Sequence, residues 1–248
     1  GDVMPGTAGE TRYFIGKGSA ATFDFAAVCA LAYRIYRDFM PSFADSCLEA
    51  AKYAFSWGLE HPDSTFTNPP DIVTGEYGDR NCSDEHYWAA IELFLATGDS
   101  VYYNDSKLYL KNYGEPGWPN VGMLGFYSMA LTVDDSLSKS RVLSSANSIR
   151  ARTRSSQYQT SIGSGDFYWG SNGVVANYGM LTLVAYLLSK DPSYLESSIH
   201  SLDYLLGRNA TGYSFVTGFG SRSARNPHHR PSTADGIPEP VPGFLVGG

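Results

Sequence analysis

Between residues 204 and 248 the chain reads YLLGRNATGYSFVTGFGSRSARNPHHRPSTADGIPEPVPGFLVGG. That stretch is too long to be filler in a compact domain. It sets His228, His229 and Arg230 side by side and places Asp235 and Glu239 shortly after them. Taken alone, His-His-Arg reads as a surface cation cluster, although an arginine such as Arg230 can also clamp a carboxylate with two parallel hydrogen bonds. Trp169, in D-F-Y-W-G-S-N, offers an indole face to a flat ring; Tyr77 and Trp118 are further aromatic candidates by position, with core or rim packing as the plainer role of all three. Asp79-x-Asn81-x-x-Asp84-Glu85 gathers oxygen ligands at short spacing just before a helical segment, and Asn120 can add another. A hard cation such as calcium takes six to eight oxygens. The alternative is ordinary helix capping, with Ser83 and Asp84 at the start and an acid in the first turn. Zinc is not expected, since no Cys and His residues stand at ligand spacing. Asp166, Asp235 and Glu239 read as acids that fix loops or stay solvated.

Eight helical segments must position these groups, at roughly 19–38, 42–59, 84–97, 101–112, 119–131, 135–155, 171–188 and 192–206. The first carries Phe25, Val28, Cys29, Ala32 and Ile35 at i, i+3, i+4 spacing. The third puts Trp88, Ile91 and Leu95 on one face and stops at Gly98. The seventh, GVVANYGMLTLVAYLL, is apolar nearly all round and is expected to be a buried inner helix. The eighth opens on Asp191-Pro192, an acidic cap followed by proline at the first helical position. VTGF and GFLVGG near the end are short strands at most. Connections alternate strictly between very short (39–41, 98–100, 132–134, 189–191) and longer (60–83, 113–118, 156–170, 207–248). Helices joined by short loops are antiparallel neighbours. Four hairpins with one plain end and one decorated end follow, and loops on a rigid scaffold usually carry function. The hairpin starts are irregular, which favours a closed α/α toroid over a solenoid of fixed period. Such toroids commonly have six hairpins, so about two-thirds of one is present.

Composition narrows the partner. The 248 residues carry 18 basic and 25 acidic side chains, a net charge of -7, against the basic stripe that nucleic acid requires. No apolar run reaches the ~18 residues of a membrane span. The opening GDVMPGTAGE lacks a signal-peptide pattern, so any leader lies outside these residues. Aromatic residues form 14% of the chain, which fits either a large core or a groove that stacks flat ligand faces. Cys29 and Cys47 sit in apolar helical patterns and read as small core residues; three cysteines make no disulfide framework. Asn81, Asn104 and Asn209 stand in N-x-S/T sequons.

S-F-V-T-G-F-G-S-R followed by N-P-H-H-R matches, position by position, the active-site histidine signature of glycoside hydrolase family 9, the family of many endoglucanases. RYFIGKGSAATFDFAAVCALAYRIY, YGDRNCSDEHYWAAIELFLATGD and YWGSNGVVANYGMLTLVAYLL resemble further segments of that family, in family order. The resemblance covers nearly the whole chain as a single partial catalytic domain, residues 1–248. It implies an all-α (α/α)6 barrel and hydrolysis of the β-1,4 bonds of cellulose or related β-glucans with inversion. Inverting enzymes hold an acid and a base about 6.5–9.5 Å apart. The family's D-A-G-D and N-E-x-x-x-N motifs, which supply them, do not occur here, so no residue is assigned as base or acid. The resemblance places the signature histidine, His228, in the active site, with Arg230 beside it on the substrate; His229, the alternating neighbour, is expected to point elsewhere. Trp169, and by position Tyr77 and Trp118, would face the sugar rings. It further implies structural calcium at the Asp79–Glu85 loop, secretion, and a monomer once the missing barrel segments are present. A carbohydrate-binding α/α scaffold without hydrolysis is the alternative; a helical adaptor for proteins would require an apolar groove instead.

Overall fold

The computed structural model describes residues 3–248 apart from 10, 12, 14, 74 and 77. Tyr77 therefore lies outside the described residues. Nine helices occur among them: α1 Ser19–Tyr36, α2 Pro41–Glu60, α3 Ser83–Thr97, α4 Ser100–Ser106, α5 Gly122–Thr132, α6 Ser136–Ser155, α7 Ser171–Ser189, α8 Pro192–Leu205 and the single-turn α9 Arg230–Ala234. No strand forms there; VTGF and GFLVGG contribute one isolated antiparallel bridge, Val216 to Leu245. Among the described residues no helix is long and apolar enough to cross a membrane. Short connections alternate with long ones, as the sequence suggests. The chain divides into two compact units, residues 14–141 and residues 142–248 with 1–13.

In the first unit α1 packs on α2 and α3, and α3 on α4 and α5. Alanines at 26, 27, 30, 51, 89 and 90 let the three backbones approach, and Phe23, Phe55, Trp88 and Leu93 fill the space between them. α3 buries every residue from Ser83 to Leu93, including Asp84, Glu85, His86 and Glu92. Glu92 is fully buried and accepts hydrogen bonds from Trp88 Nε1 (3.1 Å), the Ser128 hydroxyl and the Arg34 guanidinium. Burial still pushes its carboxyl upward, against those partners. His86 is sandwiched between Phe23 and Tyr109, with ring centroids 4.4 and 3.9 Å away, and meets Asp105 at 2.6 Å. Gly125 of α5 sits so close to α3 that a Cβ there would lie 2.7 Å from the Tyr87 ring.

The second unit is built on α7 and α8. Asp191 caps α8 by accepting from Ser193 N (2.9 Å), with Pro192 behind it, as the sequence indicates. Val175, Tyr204, Leu205 and Ile162 form the local core. The segment after α8 is held at its start by Asn209, whose amide nitrogen donates to both Tyr204 O and Tyr213 O at 2.8 Å.

Five sequence expectations change. α4 ends at Ser106 instead of near 112, because Tyr109 is drawn against His86 and its carbonyl accepts from the Tyr113 hydroxyl. α5 starts at Gly122, because Gly117 and Asn120 exchange backbone hydrogen bonds in a turn around Pro119. The stripe Phe25, Val28 and Ile35 is exposed, over 50% at each residue, and α1 buries Phe23, Ala26, Ala27 and Ala30 in its place. α7 is not buried all round, since Met180, Leu183 and Leu187 face outward, and Cys29 and Cys47 are half-buried free thiols.

Candidate functional site

The second unit displays three of the expected ligand-binding side chains. Trp169 lies one residue before Gly170, whose φ of +88° turns the backbone into α7; its side chain is 85% exposed, with Phe167 and Tyr168 exposed beside it. His228 and Arg230 are exposed as well, and neither side chain makes a hydrogen bond or ion pair with any described residue. His229 behaves differently: Nδ1 meets Ser232 Oγ at 2.8 Å, and its ring packs 4.5 Å from that of Phe244. One imidazole therefore anchors the turn while its two neighbours are presented to solvent. This is the alternation the sequence suggests.

Three acids on the loops of this unit are engaged. Asp166 accepts from Arg152 Nη1 (2.7 Å) and Gly163 N (2.8 Å), Asp235 accepts from Ile237 N (2.8 Å), and Glu239 pairs with Arg225 at 2.9 Å. None stands free as a proton donor or base, in line with their expected loop-fixing role.

In the first unit the acidic loop is partly consumed by its own turn. Asp79 Oδ1 accepts from Asn81 N (2.8 Å), Asn81 Oδ1 from Ser83 Oγ (2.8 Å) and Asn120 Oδ1 from Gly122 N (3.3 Å). Asp84 accepts from Val121 N at 2.7 Å, tying the start of α3 to that of α5. The capping alternative holds in part: Asp84 and Glu85 are acids in the first turn, but the N-cap position is Cys82 and no side chain among the described residues caps the helix. Glu85 is only 3% exposed, and its Oε2 has no hydrogen-bond partner among the described residues. Asp24 on α1 also has a buried, unpartnered oxygen. Burial, partly offset by a backbone hydrogen bond and reinforced by Asp84, Asp24 and Asp79, pushes Glu85 up to about 8. Burial together with Asp84 and Asp79 pushes Asp24 up to about 6. Asp24 is a residue that sequence reasoning missed, and its signal was a single acid inside an apolar helix. Among the described residues no three His, Cys, Asp or Glu side chains converge as a metal site. Trp118 is exposed on the loop before α5.

An all-α chain of paired helices, with an indole and a free His/Arg pair projecting from long loops, has the features of a carbohydrate-active α/α protein. The comparisons give the family. The chain matches the model of Glycosyl hydrolase family 9 over residues 4–248, and it belongs to that family, whose structures are (α/α)6 barrels. It is 36% identical to a xyloglucan-specific endo-beta-1,4-glucanase of Bacteroides ovatus, covering 100% of this chain and 46% of that protein. It is 35% identical to endoglucanase D of Acetivibrio thermocellus, covering 100% of this chain and 41% of that protein. A solved structure of a Bacteroides ovatus family 9 protein superposes with a TM-score of 0.91 at 34% identity, over 100% of this chain and 50% of that one. The chain thus spans about half the length of the curated relatives it matches.

Proposed function

We propose that the protein is an endo-acting β-1,4-glucan hydrolase working with inversion, and that these 248 residues supply substrate-binding groups to it. The observation that carries this reading is the free His228 and Arg230 pair, set in the family signature on a loop whose acids and second histidine are all engaged. Charged donors of this kind bond sugar hydroxyls next to the scissile bond. They accelerate the reaction to the extent that those bonds strengthen in the transition state. Trp169 adds a stacking face for one ring. No base or acid is assigned within the chain. Extracellular action and a monomeric complete enzyme are part of the same proposal.

Arg230→Ala in the intact enzyme should lower kcat/KM on a soluble cellulose at least about tenfold, since one charged hydrogen bond is worth about 1.5–3 kcal/mol. His228→Ala should act similarly, and unchanged kcat/KM in both would remove them from the site. The purified 248-residue chain should bind cello-oligosaccharides without cleaving them. Robust turnover by it would mean that the catalytic carboxyls lie within residues 1–248.

We also propose calcium at the start of α3. The buried, unpartnered oxygen of Glu85 and the raised carboxyls of Glu85 and Asp24 suit a hard cation, which would neutralise them. Glu85 and Asp84 would hold it, with neighbouring oxygens making up a calcium-sized set. Its contribution would be structural, joining α3 to the loops around it.

A further inference from the structure

The residues that flank Trp169 and those that flank Arg230 are joined by one short segment, 241–248. At its start Ser232 Oγ accepts from Val241 N (3.2 Å), and His229 packs on Phe244, so the segment is seated on the His-His-Arg turn itself. Its middle is gripped by Thr217, which is fully buried. The Thr217 hydroxyl donates to Val241 O (2.7 Å) and accepts from Phe244 N (3.0 Å). The Thr217 backbone donates to Phe244 O (2.9 Å) and accepts from Gly243 N (2.8 Å). Next to it Gly218 has a φ of +74°, and a Cβ there would lie 2.5 Å from Pro242 Cβ, so the close approach requires glycine. At its far end Gly247 O and Gly248 O accept from Asn172 N (3.0 Å) and Gly170 N (3.1 Å), and Asn172 Nδ2 donates to Val246 O (2.8 Å). Gly170 is the residue after Trp169.

We infer that residues 241–248 are a strut that sets the spacing between Trp169 and the His228/Arg230 pair, and that Thr217 is the positioning residue that clasps it. This rests on the reading of those three side chains as substrate contacts. A threonine is required there because one hydroxyl must donate and accept at once. Valine keeps the shape and loses both bonds, while serine keeps both bonds.

The test is cellotetraose binding to the 248-residue chain by calorimetry, read together with the melting temperature and amide exchange at Phe244 and Val246. Thr217→Val should weaken binding about tenfold, the factor given by about 1.4 kcal/mol. It should also speed exchange at both amides, while Thr217→Ser stays near the parent in both. Asn172→Ala, at the other end of the strut, should weaken binding likewise, and it decides the matter if Thr217→Val fails to fold. A folded Thr217→Val chain that melts lower but binds like the parent overturns the inference. If Arg230→Ala and Trp169→Ala also bind like the parent, or the parent does not bind, the site reading itself fails and the strut loses its role.

Discussion

α3 and α7 invert the usual relation between sequence and burial. α7 has the more continuous apolar run, yet Met180, Leu183 and Leu187 face outward. α3 carries Asp84, Glu85, His86 and Glu92, yet it is enclosed from Ser83 to Leu93. The difference lies in the neighbours. α1, α4 and α5 all pack on α3, whereas α8 is the helix packed on α7 within its unit. An apolar surface shows that a helix can be covered, and the partners present decide whether it is. The polar residues of α3 tolerate enclosure for individual reasons: His86 has Asp105 and two ring faces, Glu92 has three donors, and Asp84 has a backbone amide. Among the described residues, Glu85 Oε2 is the one fully buried polar side-chain atom of α3 without a hydrogen-bond partner.

The contrast can be attacked most strongly at Glu92. Replacing it by Ala strands the Arg34 guanidinium, the Trp88 indole N–H and the Ser128 hydroxyl, and should cost about 3–5 kcal/mol of unfolding free energy in urea titration. A cost below 1 kcal/mol would mean that α3 is not as enclosed as described. Glycine substitutions sharpen the comparison next. Gly125→Ala pushes a methyl into Tyr87 and should cost about 1–3 kcal/mol. Gly179→Ala on α7 meets Ser201 Cβ at 3.2 Å and gains helix propensity, so it should fall within about 1 kcal/mol of neutral. Equal costs at the two glycines would remove the distinction.

The acids of the first unit give a pH test. Asp24 and Glu85 have raised folded-state values, so the stability they permit is complete at low pH, below the ordinary carboxylate range of about 4. It is lost as pH climbs through about 6 for Asp24 and about 8 for Glu85. In chelator the melting temperature should therefore fall as pH rises from about 4 to 8, and added calcium should flatten that fall by mass action. A profile indifferent to calcium removes the cation proposal. The smallest effect is expected on the exposed face of α7: Leu183→Ser should change stability by about 0.5 kcal/mol or less. It should also reduce self-association of the 248-residue chain in light scattering, because it breaks an uncovered apolar stripe.

Much of this was legible in the residues. Helical periodicity located α1, α2, α3, α7 and α8 to within a residue or two, and Asp191-Pro192 marked the start of α8. The terminal signature named His228 and Arg230, which the structure leaves exposed, and the His228/His229 alternation separated the presented ring from the anchored one. What escaped depended on long-range partners. Nothing local to residues 107–112 says that Tyr109 will leave the helix to stack on His86. Thr217 looks like one more β-branched residue in an apolar pattern until Val241 and Phe244 are brought to it. Asp79, Asn81 and Asn120 have the composition of cation ligands, but the turn takes one oxygen from each. The i, i+3, i+4 pattern of α1 was real, but the helix is apolar on two faces, and its alanine face is the one turned inward.

The Asn209 amide has consequences for making the protein. Both of its hydrogens are given to the Tyr204 and Tyr213 carbonyls, yet Asn209-Ala210-Thr211 is a legitimate oligosaccharyltransferase sequence. In a eukaryotic secretory pathway, sugar transfer to the nascent chain would compete with closure of this turn. A chain modified first would keep one amide hydrogen and could form at most one of the two bonds, so it would enter quality control with the loop start loosened, whereas a bacterial host runs no such race. Asn209→Asp, which keeps the acceptor to Thr211 but abolishes the sequon, would trade that hazard for the loss of both donors. Thr211→Ala removes the sequon and leaves the amide in place.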